Sequence, residues 1–329
     1  MKLENGKDAS KSVPSTSIET RFSDLTATSS VISRVPAMER FPHSRLIFKE
    51  DGKVGIDMAP LEALINEILS SPNANPIAPG IKLTFMQQLN YGFTLFNSEF
   101  KPKEPVTVTN EVDRYALFKH HEKFMVVLSK ILMLCDKFAC LDFDDKFILF
   151  KNSWYIFYHI ERHYTSIEYF GKAKEDLRVL LDDKIAIDYN DAGYHLKDID
   201  RKIFARNLDH WMSFRNKFIK YLMNPMKDLQ ITQYEIAFLL SQILWNVQAW
   251  EGLSEEAVKI AEQVNEQIAI ELHNYYVYEK GIVIYADRLI KLTKLVEVAR
   301  RYGYTDQNFV GPSGSGWLES IYINQLRRK

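Results

Sequence analysis

The 329-residue chain is 46% hydrophobic and 26% charged, which is ordinary for a globular protein and enough for one large domain or two small ones. Its net charge of −1 offers no basic field to a phosphate backbone and excludes strong direct binding of nucleic acid. Its two cysteines, Cys135 and Cys140, are too few for a structural zinc module, which needs four ligands. No run of about eighteen apolar residues predicts a membrane span, and the N-terminus lacks the apolar core of a signal peptide.

The first 80 residues differ in composition from the rest of the chain. Residues 1–35 are rich in Ser, Thr and Lys and hold too little apolar surface to order themselves, which predicts a disordered tail. Prolines and glycines punctuate residues 36–80, which we interpret as a linker or hinge. Within it, Pro60–Leu69 fits one short helix with proline in its first turn. The folded domain is therefore expected to span residues 81–329.

From residue 83 onward, apolar residues recur at helical spacing. Val112–Leu134 predicts a long helix that turns Phe124, Val127, Leu128 and Ile131 inward. Further helices are predicted over Trp154–Phe170, Tyr234–Val247, Glu255–Tyr276 and Ala286–Tyr302. These patterns favour an all-α fold.

Two local motifs mark turns and helix starts in the second half of the chain. Lys184–Tyr189 alternates, and Asn190–Gly193 is a turn signal directly ahead of Tyr194, so a small β-hairpin is predicted there. Thr232 stands at an N-cap position with Glu235 three residues later, which is the pattern of a capping box.

The segment Leu141–Trp154 is the most informative part of the chain. Phe147, Phe150 and Trp154 recur at helical spacing behind a pair of aspartates and would bury one stripe. Asp142 or Asp144 can accept hydrogen bonds from the free N–H groups of the first turn. Taken alone, the segment predicts only the start of a capped core helix.

Together with the apolar helix Phe124–Phe138 before it and the aromatic run Tyr155–Tyr158 after it, this segment resembles the signature of nuclear receptor ligand-binding domains. Two further places carry the resemblance in the expected order: Leu229–Glu235 with the helix that follows, and the helix pair from Glu255 to Tyr302. The abundant Tyr and Phe are similar to those of the divergent nematode receptors. The resemblance implies a three-layer, all-α helical sandwich with one small β-hairpin.

The resemblance also implies a function. It covers about residues 83–323, and it implies a nuclear protein that regulates transcription by dimerising and by recruiting coregulators, with or without an apolar, lipid-like ligand. The cytoplasm is the alternative location. The family's two-zinc DNA-binding module is missing from these 329 residues, so direct DNA binding is not carried over. No enzymatic activity and no cofactor are expected, and the sequence leaves open which ligand or partner is bound, and whether transcription is activated or repressed.

The family's coactivator groove holds a short partner helix between a lysine late in the third helix and a glutamate in the last helix. Met133 occupies the lysine position here, and Lys130 one turn earlier or Lys137 one turn later is the substitute. Lys151 matches a basic groove position in the fourth helix. Glu319 is the candidate for the glutamate, although its apolar neighbours are offset from the family pattern; the alternative is an exposed helix carboxylate.

The resemblance places the ligand pocket between the third, fifth and tenth helices. The matching positions are Met125, Leu128, Phe157 and Ile160. The alternative for each of them is ordinary core packing. Thr165 falls near the place of the arginine that pairs a ligand carboxylate in some receptors, so an acidic lipid is not indicated.

The seam Leu289, Leu292, Val296 and Ala299 matches the family's dimer helix. It predicts a homodimer or heterodimer with another receptor. The alternative is burial of the same seam inside one domain, because this helix does both in such folds.

Two hypotheses outside the family remain open. His159 and His163 are four residues apart on one helix face, a spacing that can chelate zinc, and would make the protein a helical metalloenzyme. No third ligand is evident, so no metal site is predicted. The other alternative is a ligand-free helical scaffold that only binds partners.

Overall fold

The computed structural model describes residues 45–48, 54–72, 80–191, 193, 195–197 and 208–309, all within one compact unit, residues 40–329. The predicted tail, residues 1–35, lies outside the described residues. The helices described are α1 (Ala59–Ser70), α2 (Phe85–Phe100), α3 (Arg114–Leu132), α4 (Asp136–Ala139), α5 (Phe143–Phe170), α6 (Leu208–Phe218), α7 (Asn224–Leu229), α8 (Gln233–Leu244), α9 (Glu255–Asn274) and α10 (Ala286–Phe309). The strands are β1 (Arg45–Phe48), β2 (Val54–Asp57), β3 (Thr107–Val108), β4 (Glu111–Val112), β5 (Arg178–Leu180), β6 (Ile185–Asp188) and β7 (His195–Leu196).

The helices form the three-layer, all-α sandwich that the sequence predicts. One outer layer contains α2 and α3, which pack against each other. The middle layer contains α5, α8 and α9, of which α5 and α8 contact both outer layers. The other outer layer contains α10 and the π-helical turn Ile219–Met223, which contact each other and α5.

The 28-residue helix α5 lies at the centre of the fold. Every residue from Ser153 to Ile167 except His159 is buried, so the helix is enclosed on all of its faces. A helix can be buried all round only if other elements surround it. Among the described residues, no helix is long and apolar enough to cross a membrane.

The start of α5 differs in one detail from the sequence prediction. Asp142 is the N-cap residue, but its side chain makes no capping hydrogen bond. The nearby carboxylate of Asp145 instead accepts from the backbone N of Ser254 at 2.9 Å and from its hydroxyl at 2.6 Å. Ser254 is itself the N-cap of α9, so Asp145 fixes the start of α9 against the start of α5.

Helix α1 was expected within a linker, and in the structure it is packed onto the helical body. It contacts α3 and α5. Its apolar residues Leu61, Ile65 and Leu69 are fully buried. The helix prediction over Pro60–Leu69 is confirmed, but α1 lies against the domain and does not extend away from it.

The β-structure corrects the predicted hairpin. The strand over Lys184–Tyr189 is confirmed as β6, but its antiparallel partner is the upstream strand β5. The residues after Gly193 were expected to complete the hairpin, whereas β7 pairs in parallel with β4. In addition, β3 pairs in parallel with β6. The pairings of β7 with β4 and of β3 with β6 join distant parts of the chain and leave no turn signal in the sequence. The sequence pattern therefore predicts the wrong partner for the residues after Gly193.

Two helices of the outer layer approach closely at a glycine. A Cβ atom added to Gly92 of α2 would lie 2.6 Å from Cγ2 of Ile131 on α3. A side chain at this position would require a shift of the Ile131 side chain or of the two helices.

Glu235 forms a polar junction among the helices. The predicted capping box is formed, because Glu235 accepts from the backbone N of Thr232 at 2.8 Å and the Thr232 hydroxyl accepts from its backbone N. The same carboxylate accepts from the Tyr276 hydroxyl at 2.6 Å and from Arg288 at 2.5 and 2.7 Å. Arg288 also donates to the carbonyl of Leu229 at 2.8 Å. The Glu235 carboxylate and its partner Arg288 thus connect α7, α8, α10 and the turn that follows α9.

The Glu235 side chain is 1% exposed and the Arg288 side chain 24%. Burial raises the pKa of Glu235, but the hydrogen bonds from Arg288, Tyr276 and Thr232 outweigh this and hold the pKa below its usual value. The carboxylate is therefore charged at neutral pH and depends on its donors.

Arg288→Ala should lower the free energy of unfolding by about 3 kcal/mol, because it leaves a buried carboxylate without its counter-charge. Urea unfolding followed by circular dichroism would measure this. The matched control is Lys291→Ala on the same helix, which removes an exposed ion pair with Asp287 and should change the stability by less than about 0.5 kcal/mol. Equal effects from the two variants would contradict the assigned role of Glu235.

Candidate functional site

The four predicted pocket residues lie together in the interior. Met125 and Leu128 are on α3, Phe157 and Ile160 are on α5, and none of them has exposed surface. The Phe157 ring lies 6.0, 6.3 and 6.1 Å from three other rings, those of Phe93, Phe96 and Phe124. The facing sides of α3 and α5 are therefore lined by apolar and aromatic side chains.

A buried ion pair, which the sequence analysis missed, lies on α5. Arg162 donates from Nε and Nη2 to the two carboxylate oxygens of Glu161, both at 2.5 Å. Thr165, which stands near the position of the family's ligand-binding arginine, donates to Glu161 at 2.6 Å. Burial opposes the Arg162 charge, but Glu161 outweighs it and raises the guanidinium pKa. The signal in the sequence was the presence of two charged residues inside a run that is otherwise apolar and aromatic, because such charges must be paired.

The ion pair does not use all the hydrogen-bond donors of the Arg162 guanidinium. Nη1 of Arg162 is buried and has no hydrogen-bond partner among the described residues. The Arg162 guanidinium also lies 5.7 Å from the centre of the Phe100 ring. The pair is neutral overall, so the interior here offers a hydrogen-bond donor without a net positive charge.

His159 and His163, the candidate metal ligands, pack against an aromatic ring. Their ring centroids lie 4.8 and 5.3 Å from that of Phe218, and the His163 ring is parallel to it. Nδ1 of His163 faces the backbone carbonyl of His159 at 2.7 Å, so this nitrogen carries the proton. Within the described residues, no group of three or more His, Cys, Asp or Glu side chains could hold a metal ion.

The predicted coregulator groove falls on three consecutive elements. Met133 is the buried C-cap residue of α3, Lys130 is half-buried in its last turn, and Lys137 is half-buried in α4. Lys151 is exposed on α5. Glu319, the candidate for the opposite end of the groove, lies outside the described residues. Burial lowers the pKa of Lys130, against an opposing effect of Glu99.

The sequence analysis did not single out Lys146, although it lies in the same region. Its Nζ donates to the carbonyl of Leu69 at 3.2 Å, in a buried bond that joins α5 to the end of α1. Cys135, between α3 and α4, is a buried thiol, and burial raises its pKa. Cys140 is exposed.

The predicted dimer seam is mostly buried within the chain itself. Leu292, Val296 and Ala299 face inward and are buried, while Leu289 is half-buried. The exposed apolar residues nearby are others: Ile270 on α9, Tyr278, Ile282, Val283 and Ile284 between α9 and α10, and Ile290 on α10. The sequence analysis did not single these out, because an inward and an outward apolar residue look alike without the packing.

A cavity of about 400 Å³ opens between the hairpin and the α6 region. It is lined by Leu177, Tyr189, Asn190, Arg215, Asn216 and Ile219. None of the four predicted pocket residues lines it.

Two buried histidines should make the stability depend on pH. Burial, assisted by Arg162, lowers the pKa of His121 to about 3. Burial likewise lowers the pKa of His163 to about 4, against an opposing effect of its bond to His159. Both are neutral in the folded state, so the unfolded state binds more protons below the ordinary histidine pKa. Their contribution is complete above about pH 6.5 and is lost as the pH falls toward 4.

The free energy of unfolding should fall by about 1.4 kcal/mol per pH unit for each of these histidines below pH 6.5. Urea unfolding at a series of pH values would show it. His163→Phe keeps a ring against Phe218 and should reduce the slope. A slope that is the same in the wild-type protein and in this variant would refute the assignment.

Comparison with known proteins identifies the fold and the family. Residues 102–307, more than half of the chain, match the family model described as the ligand-binding domain of nuclear hormone receptor. The nuclear hormone receptor family member nhr-213 of Caenorhabditis elegans is 24% identical over 82% of this chain and 65% of its own length. Member nhr-130 of the same organism is 20% identical over 80% of this chain and 61% of its own length. The chain thus spans less than two thirds of either relative.

Among solved structures, the ligand-binding domain of Ultraspiracle from Drosophila melanogaster is similar in fold. The match covers 75% of this chain and 98% of that chain, with a TM-score of 0.50 and 16% identity. The helical sandwich centred on α5, the order of its motifs and the family model agree, and the chain belongs to the nuclear hormone receptor ligand-binding domain family.

Proposed function

We propose that this chain acts in the nucleus as a nuclear-receptor-like regulator of transcription that dimerises and recruits coregulators. Membership of the family supports a receptor role in transcription. The observation that carries the proposal furthest is the enclosed α5, with an apolar interior on its α3 side and basic residues near its start. Members of this family generally work by binding and not by catalysis.

The proposed ligand is a small apolar molecule with one hydrogen-bond-accepting oxygen. The apolar part would contact Met125, Leu128, Phe157 and Ile160, which would have to move apart to admit it. The oxygen would accept from Nη1 of Arg162. Because Glu161 already neutralises Arg162, a carbonyl or hydroxyl suits this position better than a carboxylate, which would add an uncompensated charge.

Native mass spectrometry of the whole chain, purified from eukaryotic cells, tests the ligand. A stoichiometric small molecule of low polarity would support it. A ligand-free protein would favour a receptor relative that works without one, and would leave the dimer and the coregulator site to be tested separately.

Coregulator recruitment should depend on Lys151. Charge at the end of a bound helix is worth up to about 2 kcal/mol. Reversal in Lys151→Glu should therefore weaken coregulator binding about tenfold. The chain would be fused to an unrelated DNA-binding domain, and transcription of a reporter carrying its site would be measured. The change in transcription caused by the wild-type fusion should be lost in the variant.

The matched control for Lys151→Glu is Lys172→Glu, at an exposed position just beyond the C-terminal end of α5, whereas the proposed groove lies near its start. It should behave as wild type. A reporter unaffected by the wild-type fusion would argue against the transcriptional role itself, and equal loss in both variants would argue against the groove.

The homodimer is expected to use outward-facing residues around the α9–α10 connection, because most of the α10 seam is occupied inside the chain. Ile290→Asp, at a position that is 54% exposed, should convert a wild-type dimer to a monomer in analytical ultracentrifugation, since it places a charge in an apolar contact. Ile81→Asp is the control, at an apolar position that is 58% exposed. A dimer that persists in Ile290→Asp would contradict this interface.

A further inference from the structure

Helix α1 has the form of a peptide bound to a groove. Leu61, Ile65 and Leu69 are spaced four residues apart, form one stripe, and are fully buried. The opposite face is exposed at Ala63 and Glu67. An amphipathic helix that lays such a stripe into an apolar groove is a recurring mode of peptide recognition.

The surface beneath α1 is built by α3 and α5, on which α1 packs. At the C-terminal end of α1, where the last carbonyls lack partners within the helix, Nζ of the buried Lys146 donates to the carbonyl of Leu69. A positive charge at this end also opposes the negative end of the helix dipole. The contact combines three apolar anchors with one cation at the helix end, and the cation recognises a backbone group that every helix possesses.

Helix α1 depends on this contact for its structure. It has 12 residues, and its N-cap residue Met58 makes no side-chain capping hydrogen bond. At its start, the Asp57 carboxylate accepts from the backbone N of Ala59 at 3.1 Å. Isolated helices shorter than about 12–15 residues are marginal in water. Seven residues, 73–79, separate the described end of α1 from the residues that lead into α2. A short tether gives such a segment an effective concentration on the order of millimolar at its site.

We propose that α1 is a displaceable internal ligand that occupies the coregulator surface on α3 and α5. A partner helix with apolar residues at the same spacing would bind there only when α1 leaves. This inference rests on the proposed function for the external partner, whereas the displaceable contact of α1 stands on the geometry. Lys151 follows Lys146 by five residues on α5, so the proposed groove and the α1 site occupy the same stretch of that helix.

Self-occupancy has a measurable consequence. The apparent Kd of a competing helix rises in inverse proportion to the fraction of molecules in which the site is free, so a site that is filled in about 99% of molecules raises it about 100-fold. Releasing α1 should therefore increase the affinity for an added helix without changing the site.

The probe is a fluorescent synthetic peptide of residues 58–72, and its anisotropy is measured with the full-length chain. Ile65→Asp places a charge in the buried stripe and should release α1, so this variant should bind the peptide at least about tenfold more tightly than wild type. Ala63→Asp adds the same charge on the exposed face and should bind as wild type does. A peptide that itself carries Ile65→Asp should not bind, and adding Lys146→Ala to the released chain should weaken binding of the normal peptide.

Equal peptide affinity, or no binding, for wild type and a folded Ile65→Asp chain would overturn the proposal and make α1 a fixed part of the core. If Ile65→Asp does not fold, hydrogen exchange of the wild-type chain decides. Excess unlabelled peptide should expose the amides of Ala59–Ser70 while those of Ser153–Ile167 remain protected. Protection of α1 that the peptide leaves unchanged would overturn the proposal.

These outcomes are independent of the reporter test. Displacement of α1 with no effect on transcription would support the internal ligand and reject the proposed function. If the wild-type fusion changes transcription of the reporter but the peptide cannot displace α1, the proposed function would be supported and the internal ligand rejected.

Discussion

The burial of α5 over Ser153–Ile167 is the constraint on which the rest of the structure depends. Most polar groups of a buried helix must find their hydrogen-bond partners inside the protein. On α5 these groups tie different parts of the chain together. Asp145 holds the start of α9, Lys146 holds the end of α1, and the Ser166 hydroxyl accepts from the backbone N of Leu180 on β5 at 2.9 Å. The polar residues of the core helix thus determine which elements surround it, and the apolar residues supply the packing.

The polar groups around Glu235 connect the C-terminal helices to one another, as the polar groups of α5 connect the elements around the centre. Its carboxylate is shared by a capping box, a tyrosine and an arginine from different helices. Charged hydrogen bonds of this kind are strong, and leaving one partner buried alone is costly. The two junctions explain how a fold with few long strands keeps a defined arrangement of helices.

The sequence predicted those features whose cause is local and missed those whose cause is not. The capping box at Thr232 and Glu235, the strand at Lys184–Tyr189 and the long buried helix follow from spacing within a few residues, and the structure contains all of them. The parallel pairings of β6 with β3 and of β7 with β4, the burial of most of the α10 seam and the packing of α1 depend on residues distant in the chain. The charges of Glu161 and Arg162 inside an apolar run require partners, but the sequence alone does not show which ones. Glu319 remains a prediction, since it lies outside the described residues.

The close approach at Gly92 bears on how this protein can move. Sliding α2 by one turn along α3 would bring Gln88 or Phe96 to the place opposite Ile131, where there is no room for a Cβ atom. The relative position of α2 and α3 along their axes is therefore fixed. Helix α1 packs on α3 of this layer and on α5 of the middle layer through a buried apolar stripe, and Lys146 of α5 donates to the carbonyl of Leu69. If this side of the domain rearranges, α1 should therefore detach as a unit. The helices α2 and α3 should keep their relative position and not slide past each other.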